Sequence, residues 1–413
     1  MKLTVERLGR RGDGVAEGVF ITRAMPGEVV EGDVGGSRMA RPRILEPSPD
    51  RVSAPCRHYR ACGGCALQHA ADRFVAGWKE QVVATALAAQ GLRAPFRPMH
   101  TSPPTSRRRA TLAGRRLKAG ALVGFHARGS DMLTAIPGCL LLSPPLMAAL
   151  PALEALVALG ASRKGEMALT ATALEQGVDV AASGGKPLDA ALRTELARVA
   201  STHALARLTW DGEIVFQPQP PTLRIGRAHV SPPPGAFLQA TAEGEAALID
   251  AVTHALSGAR RVADLFAGCG TFALPLAERF EVHAVEGAAP MLSALDAGWR
   301  GATGLKRVTT EARDLFRRPL LADELARFDA LVIDPPRAGA EAQMQEIAAA
   351  AAAGTAPGTI AAVSCDPVSF ARDAKVLATA GYRLDWVQVV DQFRWSSHVE
   401  LAARLSKGHM ARG

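Results

Sequence analysis

The stretch that most restricts the architecture of this chain is Asp264-Leu-Phe-Ala-Gly-Cys-Gly-Thr-Phe, read together with Glu286, 22 positions after Asp264. A strand-like run, Arg261-Val-Ala-Asp-Leu-Phe, leads into it, and a helical run, Phe272-Ala-Leu-Pro-Leu-Ala-Glu-Arg, leads out. Glu281-Val-His-Ala-Val-Glu is the next strand. Phe328-Asp-Ala-Leu-Val-Ile-Asp and Thr359-Ile-Ala-Ala-Val-Ser-Cys add two more, with an alanine-rich helix between them. Buried strands alternating with helices predict a doubly wound α/β sheet. Such a sheet takes its ligand outside the carboxyl ends of its strands, where glycines let the backbone come close. Residues 382–390 and 398–405 read as two closing strands.

The loop lacks the third glycine of the G-x-G-x-x-G nicotinamide fingerprint, and its D-x-F-x-G-x-G form suits S-adenosylmethionine better. Glu286, ending the following strand, is placed to accept both ribose hydroxyls. Asp334-Pro-Pro-Arg337 ends a later strand, where paired prolines stiffen the backbone beside the site of a transferred group. Ser364-Cys365-Asp366-Pro367 ends the next, presenting a sulfur at the same edge as Asp334, and a thiolate there is a competent nucleophile. Glu400, in Ser397-His398-Val-Glu-Leu, is the candidate proton acceptor.

The remaining chain, at 413 residues in all, has room for two further domains. Residues 1–45 carry short strand-like runs at Leu3–Glu6, Gly14–Thr22 and Glu28–Gly32, punctuated by Gly and Pro, which predict a small β-barrel. A helix is expected over about 72–90. Residues 1–130 hold 22 Lys/Arg against 10 Asp/Glu, a balance of +12, whereas the rest is at −4. That lopsided charge points to a polyanion, with Arg107-Arg-Arg109 and Arg115-Arg-Leu-Lys118 as phosphate contacts. The six cysteines are too sparse for a disulfide scaffold. Cys56, Cys62 and Cys65, with Cys139 further on, form a metal-site pattern whose four thiolates suit either Zn2+ or a [4Fe–4S] cluster. Prolines break the apolar stretches at 136–161 and 347–363, and the amino terminus lacks a signal-peptide core, so a cytoplasmic protein without membrane spans is expected.

Taken in order, these motifs resemble the RNA (uracil-C5)-methyltransferase family, in particular the iron–sulfur type acting on 23S ribosomal RNA. The likeness runs over almost the whole chain, including Ala24-Met-Pro-Gly-Glu, Leu67-Gln68-His69, Trp78-Lys79 and Phe237-Leu-Gln239. It implies an OB-like TRAM barrel over 1–48 that binds RNA, and a mixed α+β central domain with a metal-cluster loop over 49–235. A Rossmann-like class I methyltransferase domain would then occupy 236–413. Gln239, Phe266, Thr271, Glu286, Asp314 and Asp334 would hold S-adenosylmethionine. Cys56, Cys62, Cys65 and Cys139 would hold a [4Fe–4S] cluster in preference to zinc. Cys365 would add to C6 of uracil, making C5 nucleophilic, and Glu400 would remove the C5 proton. The expected partner is 23S ribosomal RNA, acted on by a monomer with no protein partner. The alternatives are the same reaction on transfer RNA, or a non-catalytic, metal-containing RNA-binding protein. Thr271, Asp366 and Phe393-Arg-Trp-Ser-Ser-His depart from the usual family residues, and none of these is the nucleophile or the base.

Overall fold

The computed structural model describes residues 1–407. At the amino terminus, seven short strands form one three-stranded and one four-stranded sheet. These enclose a core of Leu3, Val5, Ile21, Val30 and Met39. The expected single strand over Gly14–Thr22 is two, Gly14–Ala16 and Val19–Ile21, paired as a hairpin. Glu17 and Gly18 both take positive φ, 48° and 78°. A two-residue turn of that hand matches the twist of the strands it joins.

Residues 49–235, expected to be one central domain, contribute strands to three sheets, one of them the small pair Leu223–Ile225 and Ala228–Val230. A seven-stranded sheet is built from 109–135 and 166–216, with helices Leu150–Gly160 and Ala190–Thr202 packed around a shared core. Helix Asp72–Ala89 and strand Phe96–Thr101 lie elsewhere. The strand pairs in parallel with Tyr382–Asp391 and becomes the last strand of the carboxyl-terminal sheet. The helix points Val75, Lys79, Val83 and Leu87 inward at four-residue spacing, one face of an α-helix.

That carboxyl-terminal sheet has eight strands. Five of them, 308–312, 281–286, 261–265, 330–333 and 359–364, run parallel in that spatial order. Leu401–Lys407 follows antiparallel, then Tyr382–Asp391 and Phe96–Thr101. Apolar layers cover both faces, as a central parallel sheet requires. The final strand begins at Leu401 rather than 398, because residues 393–399 are spent on a turn in which Trp395 has φ 59°. The helix expected over 272–279 is only Ala273–Leu276. No described helix is long and apolar enough to cross a membrane.

Candidate active site

Strand register assembles the site. Leu265 pairs with Val285 on one side and Ile333 on the other, so the next residues, Phe266, Glu286 and Asp334, lie at neighbouring strand ends. Farther along, Ser364 pairs with Leu401, and the adjoining residues are Cys365 and Glu400. Nucleophile and base candidates, 35 positions apart in sequence, therefore share the carboxyl edge with Asp334.

The loop after Leu265 turns sharply. Phe266 has φ 63°, and Gly268 and Gly270 have φ 55° and 91°. A Cβ on Gly270 would lie 2.9 Å from both Leu274 and Leu295, so a side chain there is excluded. Glu286 steadies the loop, accepting from the backbone N–H of Gly268 at 3.1 Å and of Ala288 at 2.9 Å. Asp314 accepts from the Phe316 N–H at 3.0 Å, and the Phe316 ring tilts against Phe266 at 5.4 Å. Thr271 is half-buried at the end of the same turn. Beneath the loop, Asp264 is fully buried, and neither carboxylate oxygen has a hydrogen-bond partner. Burial, then the nearby Asp334 and Glu286, raises its pKa well above the usual carboxylate range. This crowd of acids would be relieved by a ligand carrying positive charge, and S-adenosylmethionine carries a sulfonium and an ammonium.

Gln239 stands apart from that cluster. It is buried, and its Oε1 accepts at 2.5 Å from Gln392 Nε2, which also donates to Glu400 Oε2 at 3.2 Å. The Gln392 Oε1 accepts from the Ala240 N–H at 2.7 Å. A buried amide thus ties the base candidate to Gln239. Burial, with Asp334 adding to it, raises the Glu400 pKa, while Gln392 and Arg337 pull it down. Cys365 is pushed up to about 11 by burial, then by Glu400 and Asp334, with Arg337 opposing. Arg337 Nη2 meets His398 Nδ1 at 2.8 Å. The raised proton affinity of Glu400 suits it to accept a proton, while the same surroundings hold the Cys365 thiol protonated in the absence of ligand.

The four expected metal ligands converge. Cys56, Cys62, Cys65 and Cys139 line one cavity of about 20 Å³, walled by Phe125, Ile136 and Leu141. Backbone N–H groups of Gly64 and Leu141 point at Cys62 Sγ and Cys139 Sγ, at 3.3 and 3.5 Å. Burial drives Cys65 up to about 12. Among the described residues, however, no group of three or more His, Cys, Asp or Glu side chains is arranged to hold a metal ion. In donor chemistry the set still suits a soft metal centre.

The arginine triplet is a correction. Arg108 is buried, its Nη2 2.6 Å from Glu245 and its Nε donating to the Gln239 carbonyl at 3.1 Å. Arg109 donates to the carbonyls of Ala236 and Gly235, and Arg107 to that of Arg109. Arg108 and Arg109 fasten the central sheet to segment 235–245, whereas Arg107 is half-buried and its side-chain bond stays within 107–109. Arg115 is held by Glu166 at 2.8 Å. Charge runs read identically in sequence whether they meet solvent or buried carbonyls.

Gln392 and Lys79 were missed. Lys79 Nζ lies 2.7 Å from Asp391 Oδ1, both buried, and Asp391 in turn accepts from the Phe393 N–H at 3.0 Å, setting the start of the loop that leads to Glu400. A lysine inside the apolar stripe Val75–Lys79–Val83 was the available signal.

Residues 227–408 match the family model described as tRNA (uracil-5-)-methyltransferase. A protein of Mesorhizobium japonicum named as an uncharacterized RNA methyltransferase is 44% identical over 416 residues, covering 100% of this chain and 99% of its own length. One from Brucella suis with the same description is 43% identical over 411 residues, 98% of each. The 23S rRNA (uracil(1939)-C(5))-methyltransferase RlmD of Chromohalobacter salexigens is 33% identical, covering 98% of this chain and 89% of that one. Among solved structures, the Pyrococcus abyssi tRNA (uracil-54, C5)-methyltransferase, in complex with S-adenosyl-L-homocysteine, superposes with a TM-score of 0.75. It covers 98% of this chain and 99% of its own at 20% identity, a likeness of fold.

Proposed function

The chain belongs to the RNA (uracil-5-)-methyltransferase family, and from that membership we propose that it methylates C5 of a uridine in 23S ribosomal RNA, with S-adenosylmethionine as donor. The observation that carries the reading is the register of the Thr359–Ser364 and Leu401–Lys407 strands, which brings Cys365 and Glu400 to one edge beside Asp334. In this mechanism Cys365, as its thiolate, bonds to C6 of uracil, and the displaced electron pair makes C5 an enolate carbon. The donor supplies an electrophilic methyl, which C5 takes as the methyl–sulfonium bond breaks. Glu400 then takes the C5 proton, and the electron pair left behind expels the Cys365 thiolate. Glu286, Asp314, Thr271, Phe266 and Asp334 hold the donor. Gln239 is the sixth donor-binding residue of this reading, tied through Gln392 to Glu400, and Phe237, 63% exposed, offers a ring to the unstacked target base. The barrel over 1–48 is a TRAM-type RNA-binding unit. Cys56, Cys62, Cys65 and Cys139 would hold a [4Fe–4S] cluster in preference to zinc.

The ribosomal substrate is favoured over transfer RNA by the Chromohalobacter relative, whose name specifies 23S rRNA and whose sequence aligns over nearly all of this chain. The test is a denaturing gel of protein, RNA and S-adenosylmethionine. Glu400→Gln should show a covalent protein–RNA band, because elimination waits on the C5 proton. Cys365→Ala should show neither band nor methylation. Methylation by Cys365→Ala would refute the thiolate route. Loss of 5-methyluridine from transfer RNA but not from 23S RNA in a deletion strain would replace the substrate.

A further inference from the structure

The surroundings of Cys365 hold it as a thiol, yet addition to C6 needs the thiolate. The strand Thr359–Ser364, which leads into Cys365, lies between Ala330–Ile333 and Leu401–Lys407 in the sheet. Arg337 follows the first of these neighbours, and His398 precedes the second. Their contact, Arg337 Nη2 to His398 Nδ1 at 2.8 Å, therefore crosses the strand end that carries the sulfur. The turn bearing Arg337 is firmly rooted. The Gly339 N–H closes it by donating to the Pro336 carbonyl at 2.8 Å, with Gly339 at φ 79°. It is then tied to helix Pro367–Thr379, which starts just past Cys365: Asp373 Oδ2 accepts from the Ala340 N–H at 2.7 Å, and Arg372 Nη2 donates to the Ala338 carbonyl at 2.9 Å.

The amino end of that helix is a second source of positive potential, but it is already engaged. Asp366 accepts there from the N–H groups of Val368 and Ser369 at 2.9 and 3.3 Å, and its carboxylate lies 3.4 Å from the exposed Arg10. Of the other charged groups facing the sulfur, Glu400 and Asp334 oppose a thiolate, whereas Arg337 favours it through charge and a hydrogen bond. We propose that Arg337 stabilises the Cys365 thiolate, and that His398 is the positioning residue holding Arg337 across the strand end. This assignment rests on Cys365 being the nucleophile of the reaction proposed above. The thiol proton passes to solvent before the target base closes the site, which leaves Glu400 free for the C5 proton. The sulfur electron pair forms the bond to C6 and returns to sulfur on elimination, so Arg337 faces the negative charge at both ends of the cycle. His398 accepts through an unprotonated Nδ1. Burial, then Arg337, Lys79 and Arg107, lowers its pKa, and this keeps the acceptor available at neutral pH.

The experiment treats the full-length protein with iodoacetamide at neutral to mildly alkaline pH, without RNA or S-adenosylmethionine, and follows Cys365 by peptide mass spectrometry. The reagent is uncharged, so its approach does not depend on surface charge. Removing an adjacent opposite charge shifts a pKa by about 1–3 units, and with Cys365 half-buried and Arg337 exposed the lower end applies. The thiolate fraction then falls about tenfold, and the greater intrinsic reactivity of the more basic sulfur returns about threefold. Arg337→Met should therefore slow alkylation about three- to fourfold. Arg337→Lys, which keeps the charge, should recover part of the rate. His398→Phe, which keeps a ring but no acceptor, should give a smaller fall of the same sign. Reaction at Cys269, which is buried, reports unfolding; if it appears in Arg337→Met, His398→Phe decides. Wild-type rates in the folded variants overturn the proposal, and weakened RNA binding alongside them would give Arg337 to the RNA backbone instead. A slowing that Arg337→Lys does not relieve also overturns it, because charge is then not the cause. Since neither substrate is present, methylation by Cys365→Ala would refute the thiolate route without altering this result.

Discussion

Replacing Gln392 by Leu removes the amide donated to Glu400 and leaves a side chain of similar size. A hydrogen bond to a charged group contributes about 1.5–3 kcal/mol. The Gln392–Glu400 contact, at 3.2 Å, lies at the long end of the N–H···O range, so about 1.4 kcal/mol, or one pKa unit, is the reasonable share. The sign follows from which form is stabilised. The amide favours the ionised carboxylate, so its loss raises a Glu400 pKa already lifted by burial. Glu400 then becomes competent to take the C5 proton only at higher pH. Measured as the fraction of RNA left covalently attached against pH, the midpoint should move up by about one unit in Gln392→Leu, with methyl transfer into the adduct preserved. Gln392→Glu, which puts a second carboxyl beside the first, should move it further in the same direction. A midpoint identical to wild type in both variants, with S-adenosylmethionine binding intact, would refute the relay from Gln392 to Glu400.

Lys79→Met leaves Asp391 buried without its cation, which should cost about 3–5 kcal/mol in urea unfolding, whereas Lys79→Met combined with Asp391→Leu should recover much of it. A single-variant loss under about 1 kcal/mol would mean that water reaches the pair. Protein purified without oxygen should be brown and carry about four irons and four sulfides per chain. One equivalent of zinc and no broad visible absorption would instead assign the cysteines to a zinc site. Cys62→Ser should remove the colour and lower solubility, since metal binding and local folding are coupled.

Positions at the ends of buried strands were readable because sequence displays them directly. Glu286, Asp334 and Cys365 each terminate an apolar run, and a parallel sheet puts all such ends on one edge. Glu400 was legible by motif, although its strand begins one residue later. What sequence hid depends on contacts between distant segments. Gln392 is an ordinary polar residue until Gln239, 153 positions away, is folded against it. Arg108 looked like a phosphate ligand because nothing in its own neighbourhood reveals Glu245. The split of Gly14–Thr22 turned on the positive φ of Glu17, a non-glycine residue that carries no strong turn signal.

The seam at Phe96–Thr101 also bears on how the chain is made. That strand leaves the ribosome long before its partner, Tyr382–Asp391. Gln388 bonds the Pro98 carbonyl across 290 positions. Until then helix Asp72–Ala89 presents a stripe whose Val83 and Leu87 belong to the carboxyl-terminal core, and the adjoining strand edge is unpaired. The two small amino-terminal sheets and the seven-stranded sheet can close during translation, but the carboxyl-terminal sheet cannot. Long-range pairing of this kind is slow and prone to aggregation while it waits. Expression of residues 236–413 alone would therefore yield a sheet with an open flank, and adding back residues 72–101 as a separate peptide should improve its recovery in soluble form.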